Sequence, residues 1–345
     1  MSKVTYVAMD VHLNSIAAVW GRAKEKPRNL IVDNTPEGWD RLEKAVGPGE
    51  IWGVYEASSC GFEVYDEFTK RGWKVSVVAP THIAKSAHGR TRKTDLRDAR
   101  RLWDVLVAHG ELGTEMAQVW IPTTQLREER ELIRRRLKLG EGLTRVKNAI
   151  HGLLRMHQLK RPANLKSLWT DKHVRWLEGL CQGSVLGPNL RTTLASYVRE
   201  LRFLEEELVR VQGEVERLAE EERYRKAVAS MREVDGVGIL TAMVFLVELG
   251  DVRRFQNRRQ VASYLGLVPA SYESGEADDR KGHITRLGPA RVRKVLNQAA
   301  WTLVRKDLTW KSRYGPLAQR RGALKAIVGI MRRLGIELWH RAQAA

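Results

Sequence analysis

Cysteine is almost missing from this chain. Cys60 and Cys181 are the only two in 345 residues. That is too few for a disulfide framework or a cysteine zinc cluster, and it fits a cytoplasmic protein with reduced thiols. No apolar run is long enough to span a bilayer, and the opening stretch MSKVTYVAMD enters a strand-like pattern at once, so neither a membrane span nor a signal peptide is expected. No long internal repeat or low-complexity tract is visible. Acid is scarce relative to base: 41 Asp and Glu stand against 60 Lys and Arg, a net charge of +19. Such an excess points to a polyanionic partner, nucleic acid first and an anionic membrane surface second. What is abundant is apolar: 43% of residues, with 11 Trp. That supports substantial cores, and the length suits two or three domains.

Residues 1–80 alternate β-like and helical runs. Strands are expected at 4–12, 15–21 and 29–35, close enough for hairpins. Thr35-Pro36 starts a helix through Trp39, Leu42 and Val46 that Gly47-Pro48 stops. A strand at 50–58, a helix at 62–72 and a strand at 74–80 follow. This order predicts a mixed sheet with helices on its faces in a ribonuclease-H-like arrangement. A basic loop fills 81–93, and Thr94 begins a helix to about His109. Residues 123–228 read as helical, with one apolar stripe through Leu194, Val198, Leu201, Leu204, Leu208, Val211, Val215 and Leu218 and a shorter one from Leu126 to Leu153. An antiparallel pair, a dimerising coiled coil and two helices of an ordinary bundle all fit these stripes. Residues 229–345 form a third, mainly helical region. There Gly236 and Gly238 read as a helix-hairpin-helix turn able to approach a DNA phosphate, and a long polar segment precedes a basic helix from about Pro289.

The run GRTRKTDLRDARR poses a problem. Seven Lys and Arg lie within residues 85–101, yet Asp95 and Asp98 sit among them. At roughly 100° per residue the two acids share the apolar stripe of their helix with Ala99, Leu102 and Leu106. Asp10 ends one apolar strand and Glu56 ends another. Each acid alone has a plain reading as a turn cap, a salt-bridge partner or a first-turn acid. Four together would repel unless cations held them. Mg2+ or Mn2+ takes oxygen ligands of this kind and serves phosphoryl transfer. Arg90, Arg92, Lys93 and Arg97 would then hold the phosphate backbone. A second centre is offered by Ser274, next to Gly275 and followed by Lys281, His283 and Arg286. A serine before glycine also reads as a simple turn residue, and a hydroxyl needs activation to attack. His12, His82, His88 and His283 lack metal-ligand spacing and read as surface or supporting groups.

The stretches YVAMDVH, VYEAS, KTDLRDARRL, GVGILTA and YLGLVPASYESG with GHITRLGPARVRKVLNQAA resemble, in order and over most of the chain, the DEDD transposases of the IS110 family of insertion sequences. The resemblance implies a RuvC-like domain at 1–122, a helical coiled-coil region at 123–228 and a transposase domain at 229–345. It implies that Asp10, Glu56, Asp95 and Asp98 are the DEDD tetrad and that Ser274 is the nucleophile of a DNA recombinase, with Ser271 as the alternative hydroxyl. It further implies a homo-oligomer, dimer or tetramer, that pairs one protomer's RuvC-like domain with another's serine-bearing domain. It also implies a structured noncoding guide RNA from the same element that bridges target and donor DNA, and a protein found at the nucleoid when acting. The expected fold class is thus α/β plus all-α. The expected activity is RNA-guided recombination. A RuvC-like endonuclease using water and a non-catalytic nucleic-acid-binding protein are the competing readings.

Overall fold

The computed structural model describes residues 4–79, 94–272 and 280–345. The chain divides into two compact units, Met1–Pro122 and Thr123–Ala345.

In the first unit the β-branched and aromatic runs make five strands: β1 (Val4–Val11), β2 (Ser15–Gly21), β3 (Arg28–Asp33), β4 (Glu50–Glu56) and β5 (Lys74–Val78). Their order in the sheet is β3-β2-β1-β4-β5. The first three are antiparallel, and β4 and β5 run parallel to β1. Helices α1 (Pro36–Val46) and α2 (Glu63–Lys70) supply the crossovers, and α3 (Asp95–Leu112) follows later. Thr35 caps α1 by accepting from the Gly38 N–H, with Pro36 beginning the helix, as the sequence signal demands.

Alternation along β1 divides the core in two. Val7, Met9 and Val11 pack with Trp39 and Leu42 of α1 and Val64 and Phe68 of α2. Tyr6 and Ala8 point the other way and pack with Ala99, Leu102, Trp103 and Leu106 of α3. Two hydrogen bonds fasten α3 to this face: Trp103 Nε1 donates to the Tyr6 carbonyl at 3.0 Å, and the Tyr6 hydroxyl donates to Glu111 at 2.8 Å.

The second unit is mainly helical. Its elements are α4 (Thr124–Met156), α5 (Asp171–Gln182), α6 (Pro188–Ala219), α7 (Glu222–Arg232), α8 (Ile239–Leu249), α9 (Arg258–Tyr264), β6 (Pro269–Tyr272), β7 (Arg280–Ile284), α10 (Ala290–Lys306), α11 (Leu308–Arg321) and α12 (Ala323–Ala344). The long helices α4 and α6 run antiparallel. Lys147 meets Glu205 at 3.3 Å near one end of the pair, and Arg136 meets Gln212 at 2.7 Å further along. The apolar stripe of α6 is therefore covered largely within the chain. Leu194, Val198 and Leu201 join Val146, Ile150 and Leu154 of α4 and Val174 and Leu177 of α5 in one core. Val215 and Leu218 join Ile133 and Leu137 in a second core with α7, α8, α10 and α12. The structure realises the antiparallel pair, packed among further helices as in a bundle. The expected boundary at 228 falls inside α7, whose Ala227, Val228 and Met231 all belong to the second core.

Two expectations about this unit need correction. The polar segment before the basic helix is not a plain loop, because β6 and β7 pair antiparallel, with Ser271 opposite Lys281 and Tyr272 opposite Arg280. The charge of the basic run at 127–138 also invites a nucleic-acid reading, but the run is largely used internally. Arg130 donates to the Val247 and Glu248 carbonyls at 2.7 and 3.0 Å. Arg134 forks onto both Glu248 carboxylate oxygens at 3.0 and 3.2 Å. These carbonyls end α8 and carry the negative pole of the helix. Glu248 is itself buried, so its charge requires Arg134. Arg134→Met should cost about 3–5 kcal/mol by stranding a buried carboxylate, and the double variant with Glu248→Gln should recover most of it. Urea unfolding of the full chain checks both.

Candidate active site

The site grows from the parity of two adjacent strands. Asp10 follows Tyr6 and Ala8 on the α3 face of β1. Met9 pairs with Tyr55 across the parallel β1–β4 ladder, so Glu56, which closes β4, stands level with Asp10 and shares the parity of Val54 on that same face. The tight turn after β1 is held by the His12 N–H donating to the Ser15 carbonyl and by the Asn34 amide donating to the His12 carbonyl, both at 2.9 Å. From the other side α3 presents its first turn. The Thr94 carbonyl accepts from the Arg97 and Asp98 N–H groups, and Asp95 and Asp98 stand at the positive pole of the helix.

These pieces bring Asp10, His12 and Asp95 together, with one ligand atom of each within 4.8 Å of the others. His12 Nε2 lies 3.4 Å from Asp10 Oδ2 and 3.5 Å from Asp95 Oδ1. Asp98 pairs with Arg101 at 3.3 Å, so Arg101 faces this acid rather than the opposite side of the helix. Asp10 is the more enclosed acid, 20% exposed against 53% for Asp95. Burial pushes its carboxyl above the usual carboxylate range. His12 opposes that rise, and the negative charges of Asp95 and Asp98 add to it. Asp98 is thus close enough to be felt at Asp10. Neither its ligand atoms nor those of Glu56 join the three-residue cluster. His12 is the residue sequence reasoning missed. The signal was available in Asp-x-His at a strand end, since positions two apart project to the same side.

The other expected residues scatter. Arg97 is exposed on α3. Arg90, Arg92, Lys93 and Ser274 lie outside the described residues, as do His82 and His88. Lys281 stands in β7 opposite Ser271, at the end of the hairpin that leads to the serine stretch, and His283 is exposed on the same strand. Arg286 falls beyond the other end, two residues past Ile284. Gly236 has φ 83°, and a Cβ there would come 2.8 Å from the Ala299 carbonyl of α10. Its freedom serves helix packing. Gly238, by contrast, precedes α8 with open space around it.

Comparison with known proteins adds the context. Residues 7–158 match the DEDD transposase family of IS110 elements, and residues 228–315 match the transposase family IS116/IS110/IS902. A putative transposase, y4rJ, of Sinorhizobium fredii is 31% identical over 311 residues, covering 84% of this chain and 76% of that protein. The chain belongs to the IS110 transposase family. The transposase for insertion sequence element IS1533 of Leptospira borgpetersenii is 27% identical over 306 residues, covering 87% of this chain and 86% of that one. The putative transposase y4qE of Sinorhizobium fredii is 29% identical over 257 residues. That alignment covers 73% of this IS110 transposase but only 58% of y4qE. All four acids of the expected tetrad fall inside the matched DEDD region.

The chemistry of this site suits a hard divalent cation. Carboxylate oxygens dominate it, the acids crowd one another, and a cation would relieve the repulsion that Asp10 bears. Asp10→Asn should accordingly leave the metal-free protein melting no lower than wild type. Wild type in Mg2+ at about 100 times Kd should gain about 2.7 kcal/mol, and the variant should gain little. Thermal melts with and without the metal read both effects.

Proposed function

We propose that the chain is an RNA-guided DNA recombinase of an insertion sequence, working with a divalent cation, Mg2+ or Mn2+, and a serine nucleophile. The observation that carries this reading is the convergence of Asp10 and Asp95, with the charge of Asp98 beside them, at the end of a sheet of order β3-β2-β1-β4-β5. A mixed sheet with helices on its faces is what the ribonuclease-H-like, RuvC-like reading expects. Asp10, Glu56, Asp95 and Asp98 would hold the cation, which would neutralise charge on the reacting phosphate and its leaving oxygen. Glu56 belongs in the set because its strand and parity bring it level with Asp10. The functional division would be a DEDD domain at 1–122, a helical coiled-coil region at 123–228 and a transposase domain at 229–345; the separate matches at 7–158 and 228–315 support an N-terminal and a C-terminal part.

The residues would divide the labour. Arg90, Arg92, Lys93 and Arg97 bind the phosphate backbone beside the acids, while Lys281, His283 and Arg286 do so along the serine hairpin. Gly238, with its helix-hairpin-helix-like turn, offers backbone N–H groups to a further phosphate. Ser274 Oγ forms a bond to phosphorus as the bond from phosphorus to a DNA sugar oxygen breaks, and the hydroxyl proton ends on that sugar oxygen. The serine ester resembles the bond broken, so the energy of the phosphodiester is retained. A hydroxyl from another strand then reverses the step and completes the exchange. Family membership supports a structured noncoding RNA of the same element as the guide, and a homo-oligomer as the working form. The oligomer cannot rest on the α6 stripe as a whole, since α4 covers most of it. No helix among the described residues is long and apolar enough to cross a membrane, which agrees with action on DNA in the cytoplasm.

The deciding experiment traps a covalent adduct on nicked DNA and maps it by mass spectrometry. Wild type should carry the adduct on Ser274, Ser274→Ala should bind DNA and RNA but form none, and Ser271→Ala should remain active. Cleavage without any adduct would leave the chain a metal-dependent endonuclease. Asp98→Asn should fold normally and lose strand transfer by at least 100-fold, on the order of the loss for one electrostatic group at the reacting phosphate. A strand-transfer assay in Mg2+ measures it.

A further inference from the structure

Arg286 has a left-handed backbone, φ 56°. A long side chain occupies that region at a cost, and such residues persist where their surroundings over-determine them. Here the surroundings are specific. The helix α9 ends in a tight reversal, with Gly266 N–H donating to Ser263 and Leu267 N–H to Ala262 at 2.8 and 3.0 Å, the pattern of a Schellman cap. The Arg286 N–H then donates to the Gly266 carbonyl at 3.3 Å. Gly288 presses so close that a Cβ would lie 1.6 Å from the Tyr264 carbonyl. From α10, the Arg293 guanidinium closes the other side. It donates to the Gly288 carbonyl at 2.7 Å, to Leu265 at 3.1 Å and to Arg286 at 3.2 Å. All three partners are carbonyl oxygens.

The two arginines therefore play different parts. The donors of Arg293 are committed to the backbone, and burial together with the charge of Arg286 pushes its guanidinium below the usual range. Arg286 has an exposed side chain, and no acid or acceptor engages its guanidinium among the described residues. The pairing of Ser271 with Lys281 sets Arg286 five residues beyond that rung, away from the serine stretch. From Lys281 to Ile284 the strand alone spans about 10 Å at about 3.3 Å per residue, so a phosphate at Arg286 lies apart from one at the Lys281 rung.

The geometry points to Arg293 as a positioning residue that fixes Arg286 against a DNA phosphate apart from the Lys281 rung of the hairpin. This rests on the reading of the hairpin as DNA-binding. Lysine at 293 keeps the charge but cannot span three carbonyls, which separates geometry from charge.

The test measures affinity for random-sequence duplex DNA as a function of salt, with the full chain. Arg286→Ala should lower the log–log slope by about 0.9, the value of one phosphate contact. Arg293→Lys and Arg293→Gln should lower it by the same amount, and Arg286→Ala combined with Arg293→Lys should lower it no further. Arg286→Gly, which suits a left-handed backbone, should lower the slope by the same amount and melt at or above wild type. A folded Arg293→Lys or Arg293→Gln with the wild-type slope overturns the inference, as does a double variant that loses twice as much. If neither Arg293 variant folds, Arg293 is a determinant of the fold, and the inference falls equally. A wild type with no salt-dependent affinity would instead remove the DNA-binding reading beneath it.

Discussion

The first unit depends on the seating of α3 across one face of its sheet. A hydrogen bond from the Trp103 indole to the Tyr6 carbonyl ties the helix to the strand that carries Asp10, and the packing of Ala99, Leu102 and Leu106 against that face sets the rotation of the helix. With those fixed, the first turn of α3 has only one place to go, the end of β1. The carboxylates of Asp95 and Asp98 arrive there whatever their mutual repulsion costs. The burial of apolar surface along the rest of the helix, at about 25 cal/mol per Å², is what can offset it. The site is thus held together from a distance by a core that contains no charge.

The second unit uses its arginines in the opposite way. Most of the chain's excess positive charge would be expected to face a polyanion, yet Arg130, Arg134 and Arg293 point inward to carbonyls or to a buried acid. Arg341 likewise serves Ser230, Glu233 and Glu337. A planar guanidinium with five donors can satisfy several carbonyls at a helix end or a reversal, where apolar side chains would leave orphan oxygens. A net charge of +19 therefore overstates the surface available for phosphate.

Much of the fold is legible in the sequence. The hairpin strands, the crossover helices with their Thr35-Pro36 start, and the long helices of the second unit all carry local signals: alternation, capping and turn residues. So did the shared stripe of Asp95 and Asp98, because helix periodicity alone puts them on one face. The β6–β7 hairpin was missed because each strand is short and polar, and its pairing is a contact between segments rather than a pattern within one. His12 was passed over because metal-ligand spacing was sought along the chain, whereas the spacing that matters runs from one strand end to the first turn of a helix.

The sequence by itself determined the local elements, the IS110 resemblance and the four acids, since period, cap and motif are properties of neighbouring residues. Only the tertiary structure decided which of those acids meet, that His12 stands between two of them, that the α6 stripe packs on α4 of the same chain, and that Gly236 serves packing. It also decided which arginines are committed to the interior. These are outcomes of long-range packing, in which a side chain's partner is chosen by the burial of apolar faces far from it in sequence.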